Sequence, residues 1–291
     1  PENKILSHDL LEGAYLRSGF MGDIEFTDGF PYKLLSYYER MHRWIRGDWQ
    51  VSPWLFRKVK TTNNKVEKNP LNSVNKWKIF DNLRRSLTPL GLFVPIVLTM
   101  FIGKALTVLL LSALLALSSK LLIGYADSII RPGNALKPKY RSGVISGISG
   151  ALMQTFLQFL FLPYAAFVSL CAILTALFRM LISNRNLLQW VTAEEADKRT
   201  GGSIIYHYKR MFFSVTAGIL VMVFSPYAYA VAVGILWLLS PLCAYVQSRE
   251  INDELSISED KRTFLVRCAH DSWKYFDKML TQRRSYLPPD N

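Results

Sequence analysis

Residues 87–123 read LTPLGLFVPIVLTMFIGKALTVLLLSALLALSSKLLI, an almost wholly apolar stretch. As one helix it would run about 55 Å, against a hydrocarbon core of about 30 Å. Gly103-Lys104 interrupts it near the middle, so it predicts two spans, 87–102 and 105–123. Gly91 and Pro95 can kink the first, and Lys120 can snorkel from the end of the second. A second long apolar run, Phe212 to Val246, is divided at Ser225-Pro226-Tyr227 and predicts spans at 206–224 and 227–246. Between the two runs, residues 151–182 are again mostly apolar and are broken by Pro163. Their flanks are basic: Arg131, Lys137, Lys139 and Arg141 on one side, and Arg185, Lys198, Arg199, Lys209 and Arg210 on the other. Excess Lys and Arg places loops in the cytoplasm. With both flanks cytoplasmic, 151–182 does not cross once; it lies in the interface, or dips in and returns around Pro163. The fold class is an α-helical integral membrane region of about four transmembrane helices plus interfacial helices.

Bulk composition agrees. The 291 residues are 50% hydrophobic and carry a formal net charge of +13. Basic residues flank apolar runs and form no single patch, which argues against a nucleic-acid partner and for a lipid bilayer. Cys171, Cys243 and Cys268 are far apart and suggest neither a disulfide framework nor a metal site. The four histidines are scattered. Residues 51–86 are basic and amphipathic: Trp77, Ile79, Phe80 and Leu83 form a helical stripe against Lys76, Lys78, Arg84 and Arg85, as in helices that lie on anionic membrane surfaces.

The chemistry concentrates in the first fifty residues. Ser7-His8-Asp9-Leu10-Leu11-Glu12-Gly13 opens a helical run from Asp9 to Ser18. Met21 to Phe26 alternates as a strand, with Asp28-Gly29 as its turn. Tyr32 to Trp49 then reads as a helix carrying Arg40-Met41-His42-Arg43-Trp44-Ile45-Arg46-Gly47-Asp48-Trp49-Gln50. Sugar transfer to a hydroxyl needs a base and positive charge near the leaving diphosphate. Asp9 can supply the first, and the forked guanidinium groups of Arg43 and Arg46 the second. Trp44 and Trp49 offer flat faces to a sugar ring. The same residue types also have plainer readings. An Asp before a helix is an N-cap, and a basic, Trp-rich run before a hydrophobic segment is an interfacial anchor.

From Ile5 to Pro53 the ordered text of both motifs resembles the cyclic β-1,2-glucan synthases, inner-membrane glycosyltransferases related to cellulose and hyaluronan synthases. The resemblance continues more loosely through the membrane segments. It implies that Asp9 is the catalytic base and that Glu12, Arg40, Arg43, Trp44, Arg46, Asp48 and Trp49 bind substrate. Arg43 would face the diphosphate and Trp44 the acceptor sugar. His8 and Arg40 replace the acid and the Gln of the wider superfamily, as in the cyclic-glucan branch. The resemblance further implies UDP-glucose as donor, a growing glucan as acceptor, a bacterial inner membrane, and a divalent metal (Mg or Mn) whose ligands are not in this chain.

The expected organisation is the C-terminal part of an α/β glycosyltransferase domain at 1–60, an interfacial segment at 61–86, a transmembrane region at 87–247 and a juxtamembrane linker at 248–291. With no initiator Met, the chain is expected to be a fragment. The linker would lead toward glycoside-phosphorylase-like modules. Two rivals stand beside this reading: a synthase of another β-linked polysaccharide, and a non-catalytic transporter or scaffold. The predicted spans hold no charge at mid-depth, which disfavours a transporter.

Overall fold

The structure, a computed structural model, describes residues 5–16, 19, 33–60, 65–102, 111–113, 115–116, 118–119, 138–191, 195, 202–249, 258–280 and 282. The chain forms two units, Pro1–Arg249 and Glu250–Asn291. In the first, the helices described here are α1 Asp9–Leu16, α2 Leu34–Gln50, α3 Ser73–Ile102, α4 Pro138–Leu160, α5 Leu162–Phe178, α6 Ile204–Arg210, α7 Phe212–Phe224 and α8 Ala228–Gln247. A short antiparallel ribbon pairs β1 Lys58–Lys60 with β2 Val66–Lys68, Val59 lying opposite Glu67. In the second unit, α9 Glu259–Met279 has acidic residues in its first turn and Lys278 in its last, each matching the helix dipole. The predicted strand at 21–26 and its turn lie outside the described residues.

Among the described residues, three helices are long and apolar enough to cross a membrane, by length and composition: α3, the stretch Leu162–Ser183 (α5 continued by a π-helical turn), and α8. α3 and α8 fall on expected spans, whereas Leu162–Ser183 lies in the stretch 151–182, which is not expected to cross once. The span at 87–102 is the apolar half of α3, which starts fourteen residues earlier and absorbs the Trp77–Leu83 stripe into the same helix. The span at 105–123 falls largely outside the described residues. The span at 206–224 is split at Met211 into α6 and the 13-residue α7. At about 20 Å, α7 is too short to cross alone. The last span corresponds to α8.

The bundle is fastened where prolines and helix ends free backbone carbonyls. Pro163 has no N–H for the carbonyl four residues back, and the helix breaks at Phe161 between α4 and α5. That carbonyl, Phe159 O, accepts instead from Trp237 Nε1 at 3.1 Å. Pro241 likewise frees Trp237 O, which accepts from Ser240 Oγ at 2.7 Å. At the end of α3, Met100 O accepts from Ser225 Oγ (2.6 Å) and Thr99 O from the Tyr229 hydroxyl (3.3 Å), so the α7–α8 turn caps α3. Trp237, fully buried, packs with Phe93, Ile96, Val221 and Ala230 at the centre. Gly218 and Gly234 let α7 and α8 touch backbone to backbone.

The motif helix α2 runs parallel to α5 along its length. Leu35 and Tyr38 pack with Leu160 and Tyr164, Ile45 with Ala172 and Ile173, and Gln50 reaches Leu187. The N-terminal end of α2 meets α6 and α8, where the Leu34 N–H donates to Ser248 Oγ and Arg210 pairs with Glu39. Its C-terminal end meets α3, where Trp49 Nε1 donates to Ser86 Oγ at 2.9 Å. This helix therefore bridges the bundle and presents one side to α5 and another to α1.

Candidate active site

The two motifs, distant in sequence, meet at Gly47. A Cβ there would overlap the Ser7 Cβ and stand 3.1 Å from Ser7 N and 3.3 Å from its Cα. Only glycine lets the Ser7-His8-Asp9 segment approach the helix this closely. Gln50, 3% exposed, holds the same segment by accepting from the Leu6 N–H at 2.7 Å. Its amide nitrogen donates to Leu187 O at 3.0 Å, tying the stretch after α5 to both motifs. Leu11 of α1 completes the anchorage by packing with Trp54, Val59, Leu71 and Ile79.

Asp9 is the first residue of α1, not its cap. The His8 carbonyl takes the N–H groups of Leu11 and Glu12, both at 2.9 Å. Its side chain is 90% exposed, and it acts electrostatically on Arg43. Burial and then Arg40 push the Arg43 pKa down, while Asp9 raises it. The Arg43 guanidinium lies 4.8 Å from the Trp190 ring, and Arg40 lies at the same distance from Trp44, both cation–π contacts. Glu12 pairs with His8 Nδ1 at 2.9 Å.

Asp9, Arg40, Arg43 and Trp44 thus share one region. Arg46 faces a neighbouring cavity and donates to Gln189 O. Asp48 and Trp49 turn elsewhere, toward α3. Asp48 accepts from Asn82 Nδ2 at 2.9 Å; burial pushes its carboxyl up, opposed by that hydrogen bond and by Arg85. Trp49 packs beside Ile45 and Leu90. Both connect the motif helix to α3 and lie away from Asp9.

The cavity, about 460 Å³, lies between α2 and α5 and is lined by Arg40, His42, Arg43, Arg46, Arg179 and Arg210 among others. Its apolar wall is Tyr164, Phe167, Val168 and Cys171 of α5. Burial, then the charges of Arg46, Arg179 and Arg210, push the His42 imidazole down to about 4, so it is neutral near pH 7. Arg179, Gln189 and Trp190 carry no local mark in the sequence beyond basic and polar composition, whereas Gly47 and Gln50 stand inside the quoted motif. Among the described residues no group of three or more His, Cys, Asp or Glu could hold a metal ion; the ligands of the divalent metal are expected outside this chain.

No family model matches the chain. Over an alignment of 303 residues it is 30% identical to the cyclic beta-(1,2)-glucan synthase NdvB of Rhizobium meliloti (strain 1021), and the resemblance read from the motifs holds along the full length. The alignment takes in 100% of this chain and 10% of that relative, so the chain spans about a tenth of the relative's length.

Proposed function

We propose that this chain forms the acceptor side and membrane platform of an inverting glycosyltransferase that polymerises glucose from UDP-glucose into β-1,2-glucan, working within a longer protein in a bacterial inner membrane. The observation that carries the reading is the Ser7–Gly47 contact, which brings the Asp9 carboxylate to the region of Arg43. Asp9 takes the proton of the acceptor hydroxyl as that oxygen bonds to the anomeric carbon. The bond from that carbon to the diphosphate oxygen breaks on the opposite face, and the leaving charge is met by Arg43. A bidentate guanidinium suits two phosphate oxygens better than an ammonium does. Trp44, half-exposed beside Arg40, offers its face to the acceptor ring. The similarity to a protein named a cyclic glucan synthase supports the polymer class, and the apolar helices support the membrane setting.

Asp9→Asn is the test, in the full-length protein. Asn keeps the shape but takes no proton, and base catalysis is worth about 10²–10⁴-fold. Radiolabelled glucose incorporation into polymer on membranes should fall by that order with expression unchanged. Near-parental incorporation would remove Asp9 from the base role.

A further inference from the structure

Helix α9 belongs to the second unit of the chain and is exposed from Glu259 to Lys278, with no buried residue. At about 100° per residue, its apolar side chains from Phe264 onward fall on one arc of about 200°, broken only by Ser272. The remaining arc carries Arg267, His270, Asp271, Lys274, Asp277 and Lys278. A folded core buries such an apolar arc, yet here Phe264, Leu265 and Phe276 are exposed and Trp273 is 69% exposed. Leu265 and Phe276 lie near the centre of the arc. Tyr275 and Trp273 lie toward its two borders, where a ring faces apolar surroundings while its O–H or N–H meets water. Lys261 and Arg262 project from the apolar side only in the first turn, and Arg262 pairs there with Glu259 at 3.3 Å.

The charges nearly cancel. Five basic and four acidic side chains stand on α9, and Lys274 pairs with Asp271 at 3.5 Å. An anionic surface therefore gains little from charge, and binding falls to the apolar arc. The chain also tethers this helix to a bilayer. α8 is long and apolar enough to cross one, and just past its end the Arg249 guanidinium lies 5.1 Å from the Tyr245 ring. Basic and aromatic side chains at a helix end mark the headgroup level. Eleven residues, 248–258, join α8 to α9. Fully extended they reach about 40 Å at most, so the tether keeps the local concentration of α9 near lipid high. A second copy of α9 would cover a narrow seam of so wide a face, as in a coiled coil.

We propose that α9 lies flat in the membrane–water interface, its apolar arc inserted among acyl chains and its charged arc in the headgroup layer. The partner is a lipid surface, held by apolar insertion and not by charge. The expected linker is then a membrane-bound element. The inference rests on the pattern of α9 and the apolar length of α8, and not on glycosyl transfer.

Cys268 is exposed and stands on the apolar arc, which makes it the natural probe. Full-length protein with every other cysteine replaced by alanine is spin-labelled at Cys268 and placed in phosphatidylcholine nanodiscs. A second sample carries Cys268→Ala with Lys274→Cys, which moves the label to the charged arc. Electron paramagnetic resonance then compares collisions with oxygen, which concentrates in lipid, and with a water-soluble nickel chelate. The oxygen-to-nickel ratio should be several-fold higher at Cys268 than at Lys274→Cys. Leu265→Glu combined with Phe276→Glu should bring the Cys268 ratio down to that of the charged arc, since each inserted side chain is worth about tenfold or more in partition. Neither change touches a packed core, and the comparison of the two labels stands without them. Replacing part of the phosphatidylcholine by phosphatidylglycerol, or raising the salt, should leave the ratios unchanged. Equal, water-like ratios at both positions overturn the proposal. So does shielding of Cys268 from both reagents, which would mean that protein, a second copy or another segment, covers the arc. Attachment seen only with phosphatidylglycerol and reversed by salt overturns it as well. No reading here involves turnover, so the outcome is separate from that of Asp9→Asn.

Discussion

Gly47→Ala probes the joint on which the site depends. Two opposing effects set its size. In a helix interior, alanine is better than glycine by about 1 kcal/mol. At this position, however, the new methyl overlaps the Ser7 Cβ and stands 3.1 Å from Ser7 N. Overpacking of that kind costs about 1–3 kcal/mol, so the net change is a destabilisation of up to about 2 kcal/mol. The functional loss should be larger, because Ser7 is two residues from Asp9, and a displacement of about 1 Å at a reacting group can cost about 10²-fold in rate. Ser7→Gly removes the atom that clashes most. In that background Gly47→Ala should lose most of its penalty and become near neutral, limited by the remaining contacts with the residue-7 backbone N at 3.1 Å and Cα at 3.3 Å. Thermal unfolding of the four members of this cycle in detergent, with glucose incorporation measured on matching membranes, gives the coupling directly. If Gly47→Ala has the same effect whether residue 7 is Ser or Gly, the two motifs do not meet there and the site is not assembled as described.

Other expectations follow from single contacts. Arg43→Lys in the full-length protein should lower turnover despite keeping the charge, since an ammonium cannot reproduce a bidentate clamp; parental turnover would rule out the clamp. The His42 imidazole, held down to about 4 against an ordinary 6.5, takes up its proton later in the fold than in the unfolded chain. Stability is therefore fully present above pH 6.5 and falls as pH drops toward 4, by at most about 3 kcal/mol; unfolding midpoints across that window should flatten in His42→Gln. Gly218→Val should destabilise the α7–α8 pair by about 1–3 kcal/mol, because a Cβ there stands 2.7 Å from Gly234 O, and unfolding of the purified variant checks it. A cysteine introduced at Ser225, which caps the end of α3, should be labelled from outside the cell, and one at Ser248 should not; the reverse pattern would invert the topology.

The helices bearing the motifs were legible because arginines and aromatics recur there at helical spacing, and Pro163 marked a real break because the missing N–H acts locally. The joined α3 was harder to read. A change from polar to apolar composition does not end a helix, since the backbone hydrogen bonds continue past it, and Ser86 and Leu87 lie in one run of turns. The division at Met211 had no Gly or Pro to announce it. In the site, Asp9 and Arg43 stood out by residue type. The roles of Asp48 and Trp49 depend on Asn82 and Ser86, over thirty residues away, and those of Arg46 and Arg43 on Gln189 and Trp190, more than 140 residues away. Local periodicity carries no information about such partners.

The parallel pairing of α5 with α2 has a consequence for the bilayer itself. Leu170, Leu174 and Phe178 form an exposed apolar row on α5, while the helix beside it carries Glu39, Arg40, Arg43, Arg46 and Asp48. Taking those charges to mid-bilayer would cost several kcal/mol apiece, so α5, although long and apolar enough with its continuation to cross by itself, is held with α2 at the water boundary as a raft with its oily side down. A raft floats in one leaflet only. It occupies area there and none in the opposite leaflet, and the height of Asp9 above the lipid is set by that single monolayer. Changes in total membrane thickness would then leave the reacting groups undisturbed, whereas tighter lateral packing of the leaflet holding the raft would squeeze it upward and shift them.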